Sequence, residues 1–115
     1  MSKRDTIILI EDILLSINKI ENYICNIQSY EEFIKNDIVV DAVLRNLEVL
    51  GEAANKISLE LKNKYTEIPW KRVIGLRNIV IHGYFIVDLS IIWKIINEQL
   101  PALKTQIITI KHDHI

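Results

Sequence analysis

The segment GLRNIVIHGYF, residues 75–85, sets Arg77, Asn78 and His82 into a run that is otherwise mostly apolar, then adds Gly83 and Tyr84. Burying such polar groups without partners is costly, so the segment has to meet either partners or a ligand. Histidine and arginine together can break an RNA phosphodiester without a metal. A base takes the 2′-hydroxyl proton, an acid supplies the leaving oxygen, and positive charge rests on the equatorial phosphate oxygens. His82 can act as base or acid and Arg77 as the cation, with the Tyr84 hydroxyl a polar handle nearby. Plainer readings stand beside these. Arg77 could form a structural salt bridge between helices, and His82 could be a neutral core or capping histidine.

On a helix turning about 100° per residue, Asn78 and His82 sit side by side and share a strip with Lys71 and Gly75, a polar seam. Arg77 points about 100° away from Asn78, among Trp70, Val73 and Ile81, and so should emerge through an apolar face. It keeps its charge and needs an anion. Asp41, Glu48, Glu52 and Asp88 are the carboxylates within the chain that could serve. A spacing of five puts Arg77 and His82 about 140° apart on a straight helix. Either the helix loosens before Gly83, or the two residues meet across chains of a symmetric dimer.

The elements that must carry this seam read as helices throughout. Residues 5–24 place Ile10, Ile13, Leu14, Ile17, Ile20 and Ile24 at spacings of three and four, with Asp5 as a candidate cap. Ser29, followed by Glu31 and Glu32, suggests a short capped piece. From Asp37 to about residue 62 the apolar positions Val40, Leu44, Leu47, Leu50, Ala54, Ile57 and Leu61 predict one long helix. Its flank carries Asp41, Arg45, Glu48 and Glu52, a charge ladder suited to solvent, while Gly51, Ala53 and Ala54 make a slim patch for a close neighbour. Pro69 fits the first turn of the next helix, over 69–82, with Gly83 at its end. Asp88 can cap a last helix that Pro101 should kink or divide, and the tail 109–115 should fray. The expected architecture is a single all-α domain over 1–115, an up-and-down bundle of four or five helices.

Composition narrows the function classes. The 115 residues are 50% hydrophobic and 25% charged, with three Gly and two Pro, as in a compact soluble domain. The net charge of −1 gives no general attraction for polyanions, so any nucleic-acid contact rests on a local patch. Lys62, Lys64, Lys71, Arg72 and Arg77 could supply one, with Lys71 and Arg72 nearest the seam. The single cysteine, Cys25, expected to be inert and partly buried, cannot make an internal disulfide, and the N-terminus has acidic residues too early for a signal sequence. A cytoplasmic location follows as the expectation. No window reaches the roughly 18 apolar residues of a membrane span. No phosphate-cradling glycine loop or metal-ligand set stands out, His112 and His114 being two ligands on a tail, so no cofactor or metal is expected.

The order of motifs carries a resemblance. Asp41-Ala42, Arg45-Asn46-Leu47, Gly51-Glu52-Ala53, Ile68-Pro69-Trp70, Gly75-Leu76-Arg77-Asn78, His82-Gly83-Tyr84, Val87-Asp88 and Trp93 resemble the HepT-like branch of the HEPN-domain ribonucleases over roughly residues 5–107. Proteins of that branch are toxins of type VII toxin–antitoxin modules, all-helical homodimers regarded as metal-independent ribonucleases. The resemblance implies that Arg77 binds the scissile phosphate, Asn78 orients it or the histidine, and His82 is the acid–base residue. It further implies a nucleotidyltransferase antitoxin of the MNT type that transfers AMP to Tyr84, placing bulk and negative charge in the RNA cleft. Two other classes remain open: a catalytically silent helical dimer that binds and regulates a nucleotidyltransferase partner, and the substrate-binding half of a two-chain nucleotidyltransferase.

Overall fold

Caps set the helix starts. In the computed structural model, which describes residues 2–82 and 88–114 (backbone only for 79–82), Ser2 opens α1 (Lys3–Ile24). Its hydroxyl accepts from the Asp5 amide at 3.1 Å while the Asp5 carboxylate accepts from the Ser2 amide at 3.4 Å. Asp5 is thus the third residue of a capping box rather than the cap, because Ser2 reaches the free amides first. Ser29 caps α2 (Tyr30–Lys35) by accepting from Glu32, and Asn36 caps α3 (Asp37–Lys56) by accepting from Val39.

The long helix expected to reach residue 62 ends earlier. Ile57 is extended, and the Ser58 hydroxyl accepts from the Leu61 amide to start α4 (Leu59–Lys64). Serine competes locally for backbone donors, so it terminates one helix by capping the next. Ile57 and Leu61 stay buried on both sides of the break, which is why the apolar period runs through it.

Pro69 accepts from the Val73 amide and leads α5 (Trp70–His82), while the Trp70 indole donates to the Tyr65 carbonyl at 3.0 Å. Asp88 caps α6 (Leu89–Lys94) as expected, accepting from the Ser90 amide and hydroxyl; those bonds hold its carboxyl below the usual range. A π turn, Ile95–Gln99, then joins α6 to α7 (Leu100–His114). Pro101 has no N–H to offer the preceding turn and its ring crowds it, and the widened turn, with the Leu100 amide bonded to the Ile95 carbonyl, absorbs that strain without dividing the helix.

The four long rods are α1, α3, α5 and α6 with α7, and no strand occurs among the described residues. α3 packs between α1 and α5, and α7 packs along α1 as well. Lys104 near the start of α7 meets Glu21 near the end of α1 at 2.7 Å, so these two rods run antiparallel. Ile10, Ile13, Ile17, Ile20, Leu47, Leu50 and Ile107 form the fully buried centre. Short α2 bridges α3 to α6, with Phe33 stacked against Trp93 at a centroid distance of 5.1 Å.

Two expectations are corrected at the periphery. The tail is helical to His114 and anchored: the Tyr65 hydroxyl donates to Asp113 at 2.7 Å, and burial together with that carboxylate pushes the tyrosine pKa up to about 12. Cys25, expected to be partly buried, is exposed just past α1. No helix among the described residues is long and apolar enough to cross a membrane.

Candidate functional site

The slim patch on α3 is where α5 comes closest. Gly51, Ala53 and Ala54 are buried, and a Cβ built on Gly51 would lie 2.7 Å from the Arg77 amide nitrogen and 3.0 Å from the Arg77 Cβ. Mid-helix glycine costs about 1 kcal/mol relative to alanine, and the close approach of α5 is the packing reason for it. Gly51→Ala should therefore destabilise the protein by about 1–3 kcal/mol despite alanine's better helix propensity, because the clash is with backbone that cannot swing aside. Urea unfolding checks this; a gain in stability would mean that α5 is not seated on Gly51.

Seated there, Arg77 sends its side chain out between the helices as the apolar-face reading requires. Its guanidinium finds Glu52, with Nη1 to Oε2 at 3.0 Å. Of the four candidate carboxylates, Glu48 instead pairs with Arg45 at 3.5 Å on the solvated ladder, and Asp88 serves its cap. Arg77 Nη2 donates a long bond, 3.4 Å, to Asn78 Oδ1. Its Nε is shielded from solvent and has no hydrogen-bond partner among the described residues. The pair is only partly buried, with side-chain exposures of 27% for Arg77 and 42% for Glu52, so its interest lies in orientation more than in stability.

The seam itself is open. Lys71 and Asn78 are exposed, and a Cβ on Gly75 between them would meet nothing within 4 Å. His82 lies at the end of α5, its Cα placed by the helix and its side chain outside the described atoms. Gly83 and Tyr84 lie outside the described residues, while α5 stays α-helical as far as His82, so no loosening precedes Gly83. Arg72, though next to Lys71, turns to another flank, where it borders a 260 Å³ cavity between α5 and the π turn. That cavity, lined by Val73, Leu76, Ile95 and Leu103, was not anticipated, and it lies on the side of α5 away from Asn78. Within the basic set, Lys62 is occupied by the Asn55 carbonyl and Lys64 lies over the Tyr65 ring.

An all-helical bundle that holds an arginine and a polar neighbour on one helix, with a histidine at its end, matches one family over most of its length. Residues 13–110 fit the family described as Ribonuclease HepT-like, and the chain belongs to it. A Methanocaldococcus jannaschii protein named as a candidate RNase is 42% identical over 107 residues, covering 93% of this chain and 97% of that one. A second from the same organism, similarly named, is 41% identical over 92% of this chain and 87% of its own length. A Thermococcus cleftensis protein, named a probable ribonuclease HepT, is 38% identical over 83% of this chain and 86% of its own length. No solved structure gives a significant match.

Proposed function

We propose that this chain is the toxin of a toxin–antitoxin module, a metal-independent endoribonuclease working as a cytoplasmic homodimer. The observation that carries the reading is Arg77, held partly exposed beside Asn78 on the helix that ends at His82, in a chain of the HepT-like family. Arg77 spreads positive charge over the non-bridging phosphate oxygens, and Asn78 orients the phosphate or the histidine. His82 moves the proton, taking it from the 2′-hydroxyl or giving it to the departing 5′-oxygen. Five positions separate Arg77 from His82 by about 140° on the helix, and in this reading the site is composite, with the arginine of one chain facing the histidine of the other. Lys71, exposed along the same strip, guides the RNA backbone, with Arg72 on the adjoining flank. An MNT-type nucleotidyltransferase antitoxin silences the enzyme by joining the Tyr84 oxygen to the α-phosphate of ATP and releasing pyrophosphate, which sets a charged adenylate in the cleft.

The second reading, a catalytically silent dimer that regulates a nucleotidyltransferase, draws on the Arg77–Glu52 pair, which gives the arginine a structural occupation. Incubating the purified protein with a mixed RNA pool in EDTA separates the two. Cleavage leaving 2′,3′-cyclic phosphate and 5′-hydroxyl ends is the expected result. No cleavage by protein whose intact mass shows an unmodified Tyr84 would favour the silent dimer.

A further inference from the structure

Gly51 and Glu52 are consecutive residues of α3, and both act on Arg77. Gly51 lets the Arg77 backbone settle against α3, and the next side chain then meets the arginine head at 3.0 Å. The contact is single, from Glu52 Oε2 to one terminal nitrogen, and does not fill the fork. With Nε shielded, a phosphate can approach only the end of the guanidinium formed by Nη1 and Nη2. Each of those nitrogens carries two N–H groups. Glu52 takes one from Nη1 and Asn78 accepts one from Nη2, which leaves one N–H on each nitrogen to offer a phosphate.

We propose that Glu52 is a positioning residue of the RNA site, its carboxylate fixing the plane of the Arg77 guanidinium so that the two remaining N–H groups are presented to the scissile phosphate. This inference rests on the ribonuclease reading above. An arginine side chain left to rotate would meet the transition-state charge only part of the time, so the loss of Glu52 falls on kcat. Substrate affinity changes little, because removing Glu52 also removes a negative charge from the path of the RNA. The opposite role, a brake that neutralises Arg77 until RNA displaces it, predicts faster cleavage when the carboxylate is removed.

The test compares wild type with Glu52→Ala, Glu52→Gln and, as a neighbouring control, Glu48→Ala on one RNA oligonucleotide. Melting temperatures and the labelling rate of each arginine by p-hydroxyphenylglyoxal, read by peptide mass spectrometry, accompany the kinetics. Glu52→Ala should lower kcat by about tenfold to a hundredfold with KM within about threefold. Glu52→Gln, which keeps an acceptor in place, should recover most of that loss, and Glu48→Ala should match wild type. Arg77 labelling should rise severalfold in Glu52→Ala, with exposed Arg72 as the internal reference. A rise in kcat/KM in either Glu52 variant would overturn the proposal in favour of a brake. Equal losses in both variants, tracking a lowered melting temperature, would reduce Glu52 to a structural role. If the wild type does not cleave RNA, the ribonuclease reading fails separately. The labelling still decides the positioning claim, which an unchanged Arg77 rate in Glu52→Ala would sink.

Discussion

His82→Ala should slow RNA cleavage by roughly two to four orders of magnitude, the usual worth of a positioned proton-transfer group, while leaving the melting temperature close to that of wild type. Its Cα sits at the end of α5, five positions beyond the Arg77 backbone that is seated on Gly51 of α3. Arg77→Lys is the companion. Lysine can still pair with Glu52 but cannot offer two parallel N–H groups to a phosphate, and roughly two to three orders of magnitude in kcat should go with the fork. Mixing the two dead variants tests the composite site. If each site takes its arginine from one chain and its histidine from the other, a hybrid dimer rebuilds one intact site, and a one-to-one mixture should regain about a quarter of wild-type activity. Sites made within one chain would regain nothing. That outcome would mean that Arg77 and His82 of one chain serve the same site.

Phe33→Ala carries the largest expected loss of stability, about 3–5 kcal/mol, with the melting temperature falling by roughly 12–20 °C. Phe33 is fully buried and is the buried residue of six-residue α2, its ring against Trp93 on α6. Without it α2 keeps its Ser29 cap but loses the core contact that ties α3 to the start of the last rod. Calorimetry with urea unfolding measures the loss. A deficit below about 1 kcal/mol would show that the site had collapsed around the missing ring, or that α2 is held by its caps alone.

What could be read from residue order alone was whatever depends on near neighbours along the chain. The rods announced themselves by apolar spacing, Ser29 and Asp88 by their capping chemistry, and Gly51 by the oddity of a glycine in a strong helix. Arg77 was legible too, since a cation on an apolar face must find a carboxylate, and Glu52 was among those in reach. The misses share a different cause. The break at Ile57 was hidden because Ala54, Ile57 and Leu61 keep helical spacing across it, although Ser58 carried the signal of a new start. Tyr65 and Asp113, 48 positions apart, anchor the tail through a contact that no local pattern encodes. The cavity beside Val73 depends on how far α7 stands from α5, a property of the assembled bundle.

The pairing of the first and last rods bears on when this protein becomes competent during its own synthesis. Glu21 and Lys104 stand 83 positions apart, and α7 covers one side of α1. While the chain is being made, α1, α3 and α5 emerge before the rod that shields that side of α1. The core therefore cannot close on the ribosome until α7 has cleared it. If the bundle carries a destructive activity, the same connectivity ties the onset of that activity to the emergence of α7.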